Sequence, residues 1–290
     1  MEIALDTGTN ELLCVLDGHV ATITLNRPEQ RNALSDSLTP ALRQTLLELD
    51  TDPRVRCIVI TGAGTAFCAG GDVSGMGGNR GGDSVSKAGS DALAAEPTAL
   101  AKPTLEDAIY GLKVKQETLT LRLHECSKPT IAALPGPAAG AGLSIALACD
   151  LRIAADSAFV TTAFKNIGLS GDYGCSWFMT QLIGTARARE LFYSARRVGA
   201  EEALSLGLVN EVVAFAELAP RAAELAAQIA AGPPVAIRFM KENLNRAQTA
   251  DLRTCLGMEA DRMVRCTQTQ DHREAVAAFL EKRPPTFSGR

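Results

Sequence analysis

The first part of the chain alternates short apolar runs with turn residues, which is a strand-like pattern. Residues 12–16 and 20–25 are apolar runs, and the turn formers Asp17 and Gly18 lie between them. Two such runs around an Asp-Gly pair predict an antiparallel hairpin. The chain is therefore expected to begin with paired strands.

A helix and a further strand follow the hairpin. Ser35 and Asp36 are residue types that cap the start of a helix. Beyond them leucines recur at helical spacing, at Leu38, Leu42, Leu46 and Leu49. Pro53 ends this helix because its ring has no N–H to donate. Residues 55–61 then form a β-branched apolar run that is typical of a buried strand.

Two glycine-rich turns lie at the ends of predicted strands. The first, residues 67–72, follows the run 55–61, and the second, residues 135–142, follows the apolar run 129–134. Small residues let a ligand approach the backbone, and the second turn opens a helix, whose first N–H groups are unpaired and lie at the positive end of the helix dipole. Two such turns facing each other would form an oxyanion hole. The alternative is that small residues serve only close packing.

The second turn does not fit a dinucleotide-binding motif. Gly136, Gly140 and Gly142 lack the G-x-G-x-x-G spacing, and no acidic residue follows a second strand at the distance that the motif requires. The sequence therefore does not favour a Rossmann site.

Residues 74–103 interrupt the pattern with a segment rich in Gly, Ser, Asp and Ala. An insertion of about 30 residues without structure is either a lid or an unordered surface loop. A buried amphipathic helix is predicted over 105–126, with apolar positions at Ile109, Leu112, Leu119 and Leu123. Four helices are predicted near the C-terminus, over 218–231, 234–247, 252–265 and 273–281.

Composition narrows the classes of function. The chain has 290 residues, 46% of them hydrophobic, which is enough for one large domain with an appendage. With 29 basic and 33 acidic residues the formal charge is −4, and no basic cluster favours nucleic-acid binding. No apolar stretch approaches ~18 residues and the N-terminal residues lack a signal-peptide pattern. We expect a cytoplasmic protein that does not enter a membrane.

Cysteine and histidine spacing gives no sign of a metal site. The eight cysteines form no C-x-x-C pair, and the three histidines are not at ligand spacing. Most cysteines lie in apolar runs, where a reduced thiol behaves as a small hydrophobe. We expect reduced thiols and no bound metal.

The motifs around the two turns resemble those of the crotonase superfamily, the enoyl-CoA hydratases and isomerases. Matching stretches occur in the family's order at residues 25–29, 31–34, 66–72, 128–142, 149–154, 167–169, 201–210 and 278–283. The resemblance implies an α/β fold in which residues 1–205 form a spiral of repeated ββα units that carries an acyl-CoA site. Residues 206–290 would form a helical region that builds homotrimers, often paired into hexamers.

The same resemblance assigns roles to individual residues. The backbone N–H groups of Gly71 and Ala141 would stabilise the enolate oxygen of an acyl-CoA thioester. The CoA part would be bound by Arg31, Ala33, Ala69, Asp72, Val73, Phe279 and Lys282, the last two often reaching a neighbouring subunit. CoA enters as part of the substrate, so no separate cofactor is expected.

The acid/base groups depart from the hydratase pattern. Hydratases carry two glutamates, and the matching positions here are Ser144 and Phe164, neither of which can act as a carboxylate base. The segment from Phe164 to Trp177 resembles instead the isomerases of phenylacetate breakdown, and in part the dienoyl-CoA isomerases. That resemblance implies proton transfer by Asp172 and an acyl pocket that includes Ser144, Phe164 and Trp177.

Two interpretations of Asp172 stay open. Burial among Phe164, Ile167 and Trp177 would raise the pKa of its carboxyl toward a catalytically useful range. Alternatively, Asp172 only caps the helix that begins near Cys175.

Three functional hypotheses follow. Enoyl-CoA isomerase-type proton transfer through a stabilised thioester enolate is favoured, because a single carboxylate can move a proton from one carbon to another. The alternatives are an enoyl-CoA hydratase of fatty-acid or aromatic-acid degradation and a CoA-ester-binding homologue without catalysis. The sequence does not identify the acyl group.

Overall fold

The computed structural model describes residues 2–72 and 104–290. Its strands are β1 (Glu2–Leu5), β2 (Leu12–Asp17), β3 (Val20–Leu25), β4 (Cys57–Gly62), β5 (Thr130–Leu134), β6 (Ala138–Ala139), β7 (Leu151–Ala155), β8 (Phe159–Thr161), β9 (Val198–Gly199) and β10 (Glu211–Val213). Seven of them form one sheet in the order β1-β2-β3-β4-β5-β7-β10, and β6-β8-β9 form a small second sheet. The large sheet is antiparallel from β1 to β3 and parallel from β3 to β10.

Helices alternate with these strands, as the α/β class predicts. They are α1 (Leu38–Thr51), α2 (Leu105–Gln116), α3 (Arg122–Glu125), α4 (Ala141–Ala148), α5 (Cys175–Ser194), α6 (Ala200–Leu206), α7 (Leu218–Ala230), α8 (Pro234–Ala247), α9 (Leu252–Thr267) and α10 (Gln270–Glu281). The segment 74–103, predicted as a lid or loop, and the candidate CoA residue Val73 lie outside the described residues.

The hairpin and the first helix are where the sequence predicted them. β2 and β3 pair antiparallel with Asp17 opposite Val20, and Gly18 adopts a φ of 56° that suits the tight turn. The four predicted leucines of α1 are at most 2% exposed. The Ser35 hydroxyl accepts the Leu38 N–H at 2.9 Å, which satisfies one of the helix's unpaired amides.

The helix predicted over 105–126 is continuous but only half buried, so that prediction is corrected. Leu119 and Leu123 are fully buried, whereas Ile109 and Leu112 are 54% and 41% exposed. A π-helical turn at Glu117–Leu121 separates the two halves. The extra residue of such a turn rotates the apolar face, and a single helical period drawn through all four residues misses this rotation.

The C-terminal part of the chain belongs only partly to a separate layer. β10 pairs with β7 in the central sheet, and α7 packs on β3, β4, β5 and β7. The boundary predicted at 205/206 therefore lies within the packed core. Beyond α7, the half-buried α8 is anchored by Lys241, whose Nζ donates to Asp150 Oδ2 at 2.8 Å and to the Lys128 carbonyl at 3.0 Å.

Candidate active site

The first glycine turn follows β4 and exposes a backbone amide at Gly71. Leu34 pairs with Gly71 as a parallel bridge, in which the Leu34 N–H donates to the Gly70 carbonyl at 2.8 Å and the Asp72 N–H donates to the Leu34 carbonyl at 3.2 Å. In this pattern the amide and carbonyl of Gly71 itself point away from Leu34. The Gly71 N–H thus faces the opposite side of the turn.

The second turn presents the amide of Ala141 at the start of α4. Gly140 adopts φ 52° and ψ −126°, a conformation that glycine tolerates. The first helical hydrogen bond runs from the Ser144 N–H to the Gly140 carbonyl at 3.1 Å. The Ala141 N–H precedes that bond, so it is one of the amides that a helix leaves unpaired at its positive end.

The backbone joins the two turns directly. The Cys68 N–H donates to the Pro137 carbonyl at 3.1 Å, and the Ala139 N–H donates to the Cys68 carbonyl at 2.9 Å. A Cβ on Gly70 would lie 3.5 Å from the Ala141 nitrogen, and one on Gly142 would collide with the Cys68 carbonyl oxygen. The glycines are therefore required for this close approach, which brings the Gly71 and Ala141 segments side by side.

Asp172 lies in a loop of left-handed residues between the small sheet and α5. Gly171, Tyr173 and Gly174 have φ values of 107°, 50° and 75°. The Tyr173 N–H donates to Gln116 Oε1 at 2.7 Å, which ties the loop to the end of α2. The Asp172 carbonyl accepts the Cys175 N–H at 3.2 Å. Asp172 meets α5 through this backbone bond, while no side-chain capping bond is made at the helix start.

The environment of the Asp172 carboxyl favours its protonated form. Its Oδ1 is buried and has no hydrogen-bond partner within residues 2–72 and 104–290. Burial raises the pKa of this carboxyl above its usual value. Burial also raises the pKa of the Tyr173 phenol, with the Asp172 charge adding to the rise and Arg43 opposing it. A carboxyl whose pKa is raised by burial is a candidate for general acid–base chemistry.

The neighbours of Asp172 differ from those that the sequence predicted. Phe164 is 6% exposed, and its ring lies within 4 Å of the Cβ positions of both Gly140 and Gly171, so it fills the space between the two loops. Ile167 and Trp177, in contrast, are 55% and 37% exposed. The prediction that these two side chains enclose Asp172 is therefore corrected.

The three residues predicted for the acyl pocket lie in different surroundings. Ser144 is fully buried, and its hydroxyl contacts backbone carbonyls. Trp177 instead lines a cleft of about 650 Å³ between the α2–α3 segment and helices α8 and α9. There it contacts the His124 ring edge-on at a centroid distance of 5.3 Å. Gly174 and Gln116 also line this cleft, so it borders the Asp172 loop.

Four of the candidate CoA residues lie together. The Ala69 N–H donates to the Arg31 carbonyl at 3.0 Å, and the Arg27 guanidinium donates both to the Ala33 carbonyl and to Asp72 Oδ2. Arg31 is exposed and has a φ of 50°. Phe279 and Lys282 belong to the end of α10, which packs on α9, and the Phe279 side chain is 83% exposed.

Arg27 and Asn32 hold this segment together, and sequence reasoning assigned them no role. Arg27 donates to the Ala33 carbonyl at 2.7 Å and to Asp72 Oδ2 at 3.1 Å. The fully buried Asn32 amide accepts the Arg27 N–H and donates to the Ala66 carbonyl at 2.7 Å. Both residues fall inside the stretches that match the family, and this match is the sequence signal that could have identified them.

Metal and membrane sites are not apparent in the part of the chain that the structure describes. Within residues 2–72 and 104–290, no group of three or more His, Cys, Asp or Glu side chains is arranged to hold a metal ion. No helix of these ranges has both the length and the apolar character needed to cross a bilayer.

The class of protein is defined by an α/β fold in which two glycine turns present backbone amides and the Asp172 loop is hydrogen-bonded to the helix after the second turn. The sequence profile of the family described as Enoyl-CoA hydratase/isomerase matches residues 16–107 and 81–290. The chain belongs to this family, the crotonase superfamily that the motifs indicated.

Individual relatives cover almost the whole chain. The 1,2-epoxyphenylacetyl-CoA isomerase of Escherichia coli strain K12 is 35% identical over 281 residues, covering 96% of this chain and 98% of the relative. The short-chain-enoyl-CoA hydratase of Clostridium acetobutylicum is 32% identical over 275 residues, covering 94% and 96%. The crystal structure of an enoyl-CoA hydratase from Bacillus anthracis superimposes with a TM-score of 0.84 at 32% identity, covering 97% and 100%. The predicted crotonase fold is thereby confirmed.

Proposed function

We propose that the protein shifts the double bond of an enoyl-CoA thioester by moving a proton between two carbon atoms. The Asp172 carboxylate takes a proton from one carbon, and the electron pair moves onto the thioester oxygen to form an enolate. The Gly71 and Ala141 N–H groups stabilise this oxygen. The protonated Asp172 then returns the proton to a different carbon, so no water is consumed.

The observation that carries this proposal is the buried Asp172 carboxyl, with its raised pKa, in a loop bonded to the helix that begins at Ala141. Ser144 and Phe164 offer no carboxylate at the positions where hydratases carry theirs. A single carboxyl suffices for proton transfer, whereas hydration requires groups that activate water and deliver a proton.

We extend the proposal to CoA binding and assembly. Arg31, Ala33, Ala69, Asp72 and Val73 would hold the CoA part, with Phe279 and Lys282 supplied by a neighbouring subunit of a homotrimer or hexamer. Phe164 and Trp177, with Ser144 behind them, would border the acyl group. CoA arrives with the substrate, so the proposed reaction uses no separate cofactor, and we propose the cytoplasm as its location.

The test is incubation of the purified protein with 2-enoyl-, 3-enoyl- and dienoyl-CoA esters in deuterated water, followed by mass spectrometry and by chromatography that separates double-bond isomers. We expect a shifted double bond and gain of deuterium without the mass of water. Asp172→Asn should abolish this conversion. Asp156→Asn is the matched control and should convert the ester at the wild-type rate, because it changes an exposed carboxylate just after β7, whose Oδ1 accepts the Ser157 N–H at 2.9 Å.

A hydratase is the second candidate, and the hydratase names among the relatives favour it. Gain of a full water mass that persists in Asp172→Asn would establish hydration by another acid. Binding without conversion of any ester would instead support a CoA-ester-binding protein.

A further inference from the structure

Ser144 connects the two halves of the candidate site. Its side chain has no exposed surface, and its Oγ lies 3.2 Å from the Gly140 carbonyl oxygen and 3.1 Å from the Asp172 carbonyl oxygen. A hydroxyl has one hydrogen to donate, which is shared between these two acceptors. The hydroxyl therefore joins the residue before Ala141 to the residue that bears the carboxyl.

The Cys175 thiol supports this arrangement. It lies against the Ser144 hydroxyl, and burial raises its pKa to about 12. The thiol therefore keeps its hydrogen, so no negative charge beside Ser144 competes with the two carbonyls for the hydroxyl hydrogen.

The Asp172 carboxyl depends on its backbone for orientation. Within the described ranges no hydrogen bond holds its side chain, and Oδ1 is buried without a partner. The flanking residues Gly171 and Tyr173 have positive φ values, so no regular ladder of backbone bonds fixes the loop. Within those ranges the hydrogen bonds that hold Asp172 are made by its backbone carbonyl, to the Ser144 hydroxyl and the Cys175 N–H.

We infer that Ser144 is a positioning residue, whose hydroxyl holds the Asp172 backbone against the start of α4 and so sets the distance between the carboxyl and the Ala141 N–H. This inference rests on the proposed function of Asp172. It gives a role to the position where a hydratase carries a carboxylate. At this position Ser144 does not exchange a proton but aligns the Asp172 carboxyl, which does.

Removal of the hydroxyl leaves no carbonyl without a donor. The Gly140 carbonyl still accepts the Ser144 N–H, and the Asp172 carbonyl still accepts the Cys175 N–H. Ser144→Ala should therefore fold. It loses the hydrogen bond that connects the two segments but keeps the backbone hydrogen bonds within each segment. This separates a positioning role from a purely structural one.

The experiment compares Ser144→Ala and Ser144→Cys with the wild type on the ester that is converted fastest. Thr61→Val is the matched control, because the Thr61 hydroxyl likewise donates to a backbone carbonyl, that of Ala133 at 3.0 Å. We expect Ser144→Ala to lower kcat by about 10- to 100-fold with KM within about twofold, since small misplacement of reacting groups costs rate rather than binding. Ser144→Cys, a weaker donor of similar size, should fall between alanine and wild type.

A titration of the Asp172 carboxyl by ¹³C NMR gives a readout that does not depend on turnover. The groups that face it are Tyr173, Cys175 and, beyond Tyr173, Arg43. Loosening the loop admits water to the carboxyl, so Ser144→Ala should lower the Asp172 pKa toward its ordinary value, while Thr61→Val leaves it unchanged.

The inference is overturned if Ser144→Ala keeps kcat within about twofold of wild type and leaves the Asp172 pKa unchanged, or if neither Ser144 variant folds. Failure of the proposed function looks different: Asp172→Asn would then retain wild-type conversion. Loss of activity in Asp172→Asn together with normal activity in Ser144→Ala would reject the positioning role alone.

Discussion

Gly71 pairs with Leu34 through the amide and carbonyl of Leu34, so the Gly71 N–H points out of the turn on the side away from Leu34. The second glycine turn presents the Ala141 N–H at the first position of α4. Neither amide is needed by the backbone pairing that builds its own turn. Both are therefore available to a ligand oxygen.

Ala141→Pro is expected to remove one of these amides at little cost to the fold. Proline is favoured at the first helical position, where the missing N–H has no helical partner. The rate of conversion should fall by about 100-fold or more, the typical cost of losing one oxyanion donor. Steady-state kinetics and thermal unfolding measure the two effects separately.

Ala200→Pro is the control for this change. Ala200 also begins a helix, α6, and also follows a glycine, Gly199. Its substitution should leave the rate close to wild type. Equal loss of rate in both variants would show that proline acts through the fold and not through the Ala141 amide.

Asp172→Asn should stabilise the protein at neutral pH. Burial raises the folded-state pKa of Asp172, so the ionised carboxyl destabilises the folded state as pH rises through that raised value. Below the unfolded pKa both states are protonated and the effect vanishes. Urea unfolding should therefore show a higher free energy of unfolding for Asp172→Asn at pH 7 and a smaller difference near pH 4. A variant less stable than wild type at pH 7 would contradict the burial account.

Arg27→Lys is expected to weaken binding of the CoA part. The planar guanidinium donates to the Ala33 carbonyl and to Asp72 at the same time, and a lysine cannot reproduce this fork. KM for the CoA ester should rise several-fold, and stability should fall by about 1–2 kcal/mol. Arg54→Lys, which changes an exposed pair with Asp52, is the control and should change both quantities little. An unchanged KM would separate Arg27 from the CoA site.

The exposed apolar face of α9 predicts self-association. This helix has no buried residue, and its Leu256 and Met263 side chains are 55% and 67% exposed. Light scattering after size-exclusion chromatography should give three or six times the chain mass of 30.5 kDa. The double variant Leu256→Glu/Met263→Glu should lower that mass, whereas Leu13→Glu on β2 should not. A monomeric wild type would exclude sharing of Phe279 and Lys282 between subunits.

The sequence was sufficient for those features that depend on local pattern. The hairpin turn at Gly18, the buried face of α1 and the two glycine turns each follow from residues within one short segment. The bond between Ser144 and Asp172 could not be predicted in this way, because it joins residues 28 positions apart through a backbone carbonyl. The π-helical turn at Glu117–Leu121 and the exposure of Ile109 and Trp177 were not predicted either.

The most direct test of the account is hydrogen exchange at carbon, followed by ¹H NMR, with a 3-enoyl-CoA ester in deuterated water. Wild-type protein should exchange a proton on a carbon beside the double bond as the enolate forms. Asp172→Asn should bind the ester with a dissociation constant close to wild type and catalyse no exchange, because only proton transfer is removed. Exchange by Asp172→Asn at the wild-type rate would contradict the account, since another group would then carry the proton.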